Sequence, residues 1–268
     1  MAISYEGNIL KMKSKLGDVV EYSLPLSDVG VPMNELIGKK VTLEFTGIIN
    51  CIATGEKIKK SYGQGYSYKA FITLAECDSC IVRPELCHYA EGTCREPKWG
   101  EEHCMIDHYV YLSVTDQMKV GITRHTQIPT RWIDQGASYA IPLVKVKDRK
   151  TSGLIESEIK KTMSDKTNWR KMLENVVPEI DLYEERERIY EEFGDLFDEY
   201  DATDLDDDIT EIKYPVLEYP TKVKSLSFEK TPKIEGTLMG IKGQYLIFDI
   251  GVINMRKYQG HYIKLSSS

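Results

Sequence analysis

HYVYLSVTDQMKVGIT, residues 108–123, reads as two strands joined by a turn. β-Branched and aromatic residues dominate 108–113 and 118–123, and Thr115-Asp116-Gln117 between them is turn-like. Downstream, 130–135 starts a helix and 140–147 is a third strand. Residues 152–163 form a second helix, with Leu154, Ile155, Ile159 and Met163 on one side. Residues 106–174 therefore read as an α/β unit.

On the N-terminal side, residues 1–75 read as β-rich. The run 40–53 (KVTLEFTGIINCIA) is dense in β-branched residues, and 68–75 continues the pattern. On the C-terminal side, residues 213–268 return to β, with glycines punctuating apolar runs such as 245–249 (YLIFD). The two flanking segments form either one sheet or small barrel, or two separate β modules. The class is α+β.

Residues 76–105 are different in kind. Five of the six cysteines fall here, among Pro84, Gly92, Pro97 and Gly100, which break regular elements. The order is Cys77-x2-Cys80, then Cys87-His88, Cys94, His103-Cys104. Such a segment buries little apolar surface by itself, and clustered cysteines in a reducing compartment read as a metal site. A structural Zn²⁺ is expected. Cys77 and Cys80 supply one pair of thiolates, Cys94 and Cys104 are choices for the second, and Cys87 and His88 compete with them. No zinc-deaminase signature, H-E-x-x-H or Walker A sequence is present.

The chain has 268 residues, 35 basic and 42 acidic, for a net charge of -7, and 41% are apolar. That is a folded composition, and its acidity argues at first against a nucleic-acid partner. The acid is concentrated, however. Residues 176–212 alone carry a net of -14, whereas 105–174 carry +4. The segment 175–212 reads as an amphipathic acidic helix followed by a solvated DLDDD loop (204–208), a surface for a protein partner. Lying against the basic unit, it would compete with phosphate. The first residues, MAISYEGN, lack a basic start and an apolar stretch, and no run approaches the roughly 20 apolar residues of a membrane span. A cytoplasmic protein with no membrane partner is expected.

The order of features in 106–174 resembles the GIY-YIG nuclease domain: two short strand motifs, an Arg-bearing helix, a Glu-bearing helix, then an Asn. The stretch from Cys77 through CHYAEGTCREPKWG to VGIT, IPTRWIDQGA and DKTNW is similar to the family called domain of unknown function 2797. The nuclease resemblance implies a phosphodiester substrate in RNA or DNA. Glu156 would hold a divalent ion such as Mg²⁺, Arg131 would stabilise the phosphate, Tyr111 matches the first-motif tyrosine, and Asn168 takes a supporting role. Two positions depart from the pattern. Lys119 stands where the second-motif tyrosine acts as base, and Gln135 replaces the His or Tyr four residues after the Arg. An unperturbed Lys119 binds phosphate well and abstracts a proton poorly. Glu156 also precedes Lys160 by four residues, the spacing of a helical ion pair.

A second surface is expected at 57–70 (KIKKSYGQGYSYKA). There Lys57, Lys59 and Lys60 meet phosphates while Tyr62, Tyr66 and Tyr68 stack on bases, with Arg124 contributing from the middle unit. The reading that unites these features is a zinc-stabilised nucleic-acid-binding protein with nuclease-like chemistry. A nuclease-like adaptor without catalysis, or a zinc or thiol sensor, are the alternatives.

Overall fold

The computed structural model describes residues 3–163 and 167–268. The chain starts with β1 (Ile3–Asn8), β2 (Lys13–Lys15), β3 (Glu21–Leu26), β4 (Val29–Pro32), β5 (Lys40–Asn50) and β6 (Lys57–Ile58). After α1 (Tyr68–Thr73) a series of single 3-10 turns leads through the cysteine segment to α2 (Pro97–His103). The middle unit is β7 (His108–Val114), β8 (Met118–Arg124), α3 (Thr130–Asp134), β9 (Tyr139–Val146), α4 (Arg149–Ile159) and α5 (Trp169–Leu173). Then come α6 (Leu182–Glu199), β10 (Thr203–Asp204), β11 (Thr210–Glu211), β12 (Lys233–Lys242), β13 (Tyr245–Phe248), β14 (Gly251–Asn254) and β15 (His261–Ser267). Helices and antiparallel sheets make this an α+β fold. No described helix is long and apolar enough to cross a membrane.

The two flanking segments build one sheet. Its order is β1-β15-β5-β12-β13-β14, with β6 paired to β5, so strands from both ends of the chain alternate. The small sheet β2-β3-β4 packs its apolar face into the same core as Leu43, Leu238 and Leu265 of the large one. The middle unit has its own sheet, β10-β9-β7-β8, with β11 also on β9. Strand β7 is central there and buried on both faces, which is why it reads as a nearly continuous apolar run. Val110, Leu112 and Val114 point to one side, against Ile155 and Ile159 of α4 and Leu182, Ile189 and Phe197 of α6. Tyr111 points to the other, into the core shared with the large sheet.

Three expectations need correction. Residues 68–75 are not strand. Ser67 caps α1, its Oγ accepting from the Ala70 amide at 3.2 Å, and the cap outweighs the β-prone composition. The helix expected over 152–163 begins at Arg149, because Asp148 Oδ1 accepts from the Thr151 amide at 2.8 Å, and it ends at Ile159. Finally, the acidic segment does not lie against the basic side of the unit. Helix α6 lies on the same face of the sheet as α4, and β10 and β11 pair with the β9 edge, whereas the basic cleft described below opens beside β8. None of residues 176–212 lines that cleft. Arg186 holds the acidic loop onto α6, donating to the Asp207 carbonyl at 3.0 Å.

Lys242, at the end of β12, is fully buried. Its Nζ donates to Asn175 Oδ1 at 2.8 Å and lies 5.2 Å and 5.5 Å from the ring centres of Tyr214 and Tyr219. Burial pushes its pKa from 10.5 down to about 8. The folded chain therefore binds fewer protons than the unfolded one between those values, so stability rises with pH across that window. The full shift is worth about 3 kcal/mol, and attraction to the two rings reduces it to about 2 kcal/mol. Urea unfolding at pH 8 and pH 10 is expected to show this gain in the wild type and not in Lys242→Met. Equal slopes in the two proteins contradict it.

Candidate functional site

A cleft of about 390 Å³ opens beside β8, the uncovered edge of the middle sheet. Residues from Val120 to Arg124 line its floor, and Ile81, Val82 and Pro84 of the cysteine segment line one wall. Helix α3 contributes Arg131, Asp134 and Gln135, and α4 contributes Arg149, Glu156 and Lys160. Lys119 comes from β8, while Lys11 and Arg256 reach in from the N- and C-terminal segments. Lys119, Arg124, Arg131 and Glu156, expected at a phosphate site from the sequence, thus share one concave surface. Lys11, Lys160, Arg149 and Arg256 are additions.

Among the described residues, seven cations face two carboxylates in this cleft. Each carboxylate already has a lysine. Glu156 Oε1 is 3.1 Å from Lys160 Nζ, and Asp134 pairs with Lys11 while accepting from Gln244 Nε2 at 2.8 Å. Among the described residues, no carboxylate lies within ion-pair distance of Arg124, Arg131, Arg149 or Arg256. Burial lowers the pKa of Arg124 and Arg149, and each is lowered further by a neighbouring arginine. Arg149 spends one donor on the Ile81 carbonyl, Nη2 to O at 2.7 Å, and its Nε is buried without a partner among the described residues. Arg256 Nε donates to Gln64 Oε1 at 2.8 Å. Clustered guanidiniums repel one another, and an oxyanion placed among them removes that repulsion and meets their planar forks. Glu156 is pushed above the usual carboxylate range by burial, against the pull of Lys160, Arg131 and Arg149.

Tyr111 lies under the floor. Its side chain is fully buried, and its hydroxyl donates to Gln135 Oε1 at 2.9 Å. A Cβ at Gly121 would stand 2.7 Å from that hydroxyl, so only glycine lets β8 pass over the ring. Burial pushes the phenol pKa up. Tyr111 therefore meets the cleft through Gln135 and Arg131. Lys119 is buried and donates to Thr167 Oγ1 at 2.8 Å. Asn168 is outside the cleft. It caps α5, accepting from the amides of Arg170 at 3.1 Å and Lys171 at 3.4 Å. Asp165 and Lys166 of the DKTNW stretch lie outside the described residues.

The lysine–tyrosine loop adjoins the cleft. The Tyr62 and Tyr66 backbones exchange two hydrogen bonds of 2.9 Å, and Gln64 at the loop tip holds Arg256. Lys57, Lys59 and Lys60 are exposed. Tyr68 is 59% exposed, whereas Tyr62 packs edge-on against Tyr68 at 5.3 Å and near Phe71 at 6.3 Å. Tyr68 is thus the ring most open to a base, and Tyr66 is half-buried beside Glu76, which with burial raises its pKa.

The cysteine segment encloses a second, much smaller cavity of about 10 Å³, lined by Cys80, Cys87, Cys94 and Cys104. All six cysteines are free thiols. The Cys80 thiol is pushed up to about 11 by burial and then by Asp78, Cys87 and Cys104. Cys77 does not line this cavity. Burial pushes its thiol up to about 11, helped by Glu76 and opposed by Arg95. Asp78, between the two cysteines, caps the turn that carries Cys80. Asp78, Cys80 and His88 also bring one ligand atom each within 4.8 Å of one another, a group able to hold a metal ion.

No curated protein and no solved structure matches the chain. A family match spans residues 38–263, from β5 through the cysteine segment and the cleft to β15, and the chain accordingly belongs to the family described as protein of unknown function DUF2797.

Proposed function

We propose that this protein binds nucleic acid, seating a phosphodiester of RNA or DNA in the cleft beside β8, with zinc stabilising the cysteine segment. The observation that carries the reading is the set of four arginines around one cleft with no described carboxylate within ion-pair distance. The GIY-YIG-like order of strands, arginine helix and glutamate helix supports it. So does the adjoining loop, which offers Lys57, Lys59 and Lys60 to further phosphates and Tyr68 to a base. Arg124, Arg131 and Arg149 hold the phosphate oxygens. Glu156 would hold a Mg²⁺ ion in place of its present partner Lys160. Bound there, Mg²⁺ would polarise the phosphate and acidify a water. Tyr111 fixes Gln135 at the wall. The exposed carboxylates of α6, on the far side of the sheet edge, are left for a basic protein partner.

Fluorescence anisotropy with labelled single-stranded RNA and duplex DNA tests the reading. Affinity is expected to fall linearly on a log–log plot against salt. Arg124→Ala/Arg131→Ala is expected to weaken binding about 10-fold or more. On single strands it is also expected to flatten the slope by about 0.7 for each phosphate that is no longer neutralised. In Mg²⁺, Glu156→Gln is expected to abolish cleavage and retain binding. Binding without cleavage in the wild type assigns the adaptor role. Absence of both, across RNA and DNA pools, sinks the proposal.

A further inference from the structure

The four cysteines around the small cavity are spaced C-x6-C-x6-C-x9-C. Cys80, Cys87 and Cys104 are buried, and the packing around Cys94 is close enough that a Cβ at Gly100 would stand 3.3 Å from its sulfur. The void that they help to line is about 10 Å³, the size of a single small sphere, and since no three of the four sulfurs lie within 4.8 Å of one another, they must close in on an ion to form a tetrahedron. Zinc takes four thiolates in a tetrahedron, and segments with too small a core use such an ion as a staple. The rival group is Asp78, Cys80 and His88, whose ligand atoms already lie within 4.8 Å of one another. Arg95 competes with a metal for Asp78, its Nε 2.7 Å from Asp78 Oδ2, whereas the Thr93 contact at His88 Nδ1 leaves Nε2 facing Asp78 at 3.5 Å. Zinc prefers thiolates to a carboxylate held by an arginine, which favours the four cysteines.

The same segment builds the cleft. Residues 81–86 lie between the first two thiols, and Ile81, Val82 and Pro84 line the phosphate site. Pro84 sits so tightly on α4 that a Cβ at Gly153 would stand 2.7 Å from its side chain and 2.6 Å from the Glu85 nitrogen. Arg149 is tied to both ends of the cysteine segment. Its Nη2 donates to the Ile81 carbonyl at 2.7 Å, and its amide donates to the Cys104 carbonyl at 2.8 Å.

We propose that Cys80, Cys87, Cys94 and Cys104 bind one zinc ion as a tetrathiolate, and that this ion holds the 81–84 wall and Arg149 in place for phosphate. Binding releases four protons to solvent and leaves a dianionic centre, which Arg95 at the cavity wall offsets. The second half of the proposal rests on the nucleic-acid reading of the cleft, and the first half does not.

Elemental analysis of the purified protein is expected to find one zinc per chain in the wild type and in Cys77→Ser, and a loss of most of it in Cys80→Ser, Cys87→Ser, Cys94→Ser and Cys104→Ser. Zinc retained by Cys94→Ser, or lost from Cys77→Ser, overturns the ligand set. Because those variants can misfold, wild-type protein loaded with Co²⁺ supplies a second readout. Its thiolate-to-metal charge-transfer band is expected at four-thiolate intensity, and one-thiolate intensity hands the site to Asp78, Cys80 and His88. Hydrogen exchange tests the coupling: chelation of zinc is expected to speed exchange at least about 10-fold in 81–87 and at the start of α4, leaving the β7–β8 hairpin protected. Unchanged exchange there refutes the coupling. Labelled RNA and DNA separate the two proposals. Zinc-dependent binding of either supports both, and a zinc-loaded protein that ignores both nucleic acids removes the nucleic-acid reading and the phosphate half of this one, leaving the metal site.

Discussion

Arg149→Met is expected to stabilise the fold by about 1 kcal/mol and to weaken RNA or DNA binding by roughly 10-fold or more. The opposite signs follow from where the guanidinium sits. It is largely buried beside Arg124 and Arg131, no described carboxylate lies within ion-pair distance, and its Nε has no described partner. It is also the first residue of α4, where the positive end of the helix dipole opposes a cation. Methionine keeps the length and apolar stem and removes all three penalties. It forfeits the hydrogen bond to Ile81, worth about 1 kcal/mol, which keeps the net gain modest. Urea unfolding and anisotropy on the same preparation check both signs. A variant that loses stability and affinity together shows that Arg149 serves the fold, and an unchanged affinity removes it from the phosphate site.

Acidification from pH 6.5 to pH 4 is expected to destabilise the wild type by about 3 kcal/mol more than His108→Phe. His108 begins β7 and is fully buried. Its Nδ1 is 2.8 Å from the Ile106 carbonyl, so it carries the proton, while Nε2 is buried without a partner among the described residues. Burial is the main cause of a pKa pushed from 6.5 down to about 4, and Arg149 and Arg124 add to it. The sign follows directly: the unfolded chain binds the proton at higher pH than the folded one, so stability is complete above pH 6.5 and declines toward pH 4. Stabilities measured by urea unfolding at several pH values for both proteins isolate the effect. Parallel curves contradict it.

The β7–β8 hairpin was legible because its signal is local: alternating β-branched and aromatic residues about a polar turn. Lys119, Arg124, Arg131 and Glu156 could be grouped because one compact unit carries them. Lys11 and Arg256 could not, since the large sheet brings them in from distant sequence and neither has a pattern around it. Arg149 did leave a trace. A cation directly after the Asp148 cap contradicts helix-end electrostatics, and such local violations collect at functional sites. The cysteines are a different case. Cys77-x2-Cys80 is a good local motif, but only Cys80 of the two lines the cavity, and spacing alone does not show which thiols share a void. Residues 68–75 show the same limit, since one serine cap turned a β-like composition into helix.

The interleaving of the large sheet also sets a timetable for the chain. Strand β15 lies between β1 and β5, and the Asn8–Gly260 hydrogen bond closes a loop of 252 residues. Loop closure on that scale is slow, whereas the β7–β8 hairpin needs only neighbours in sequence. During synthesis the β7–β8 hairpin can form as it leaves the ribosome. The edges of β1 and β5 must wait, unpaired and open to aggregation, until the last strand emerges between them.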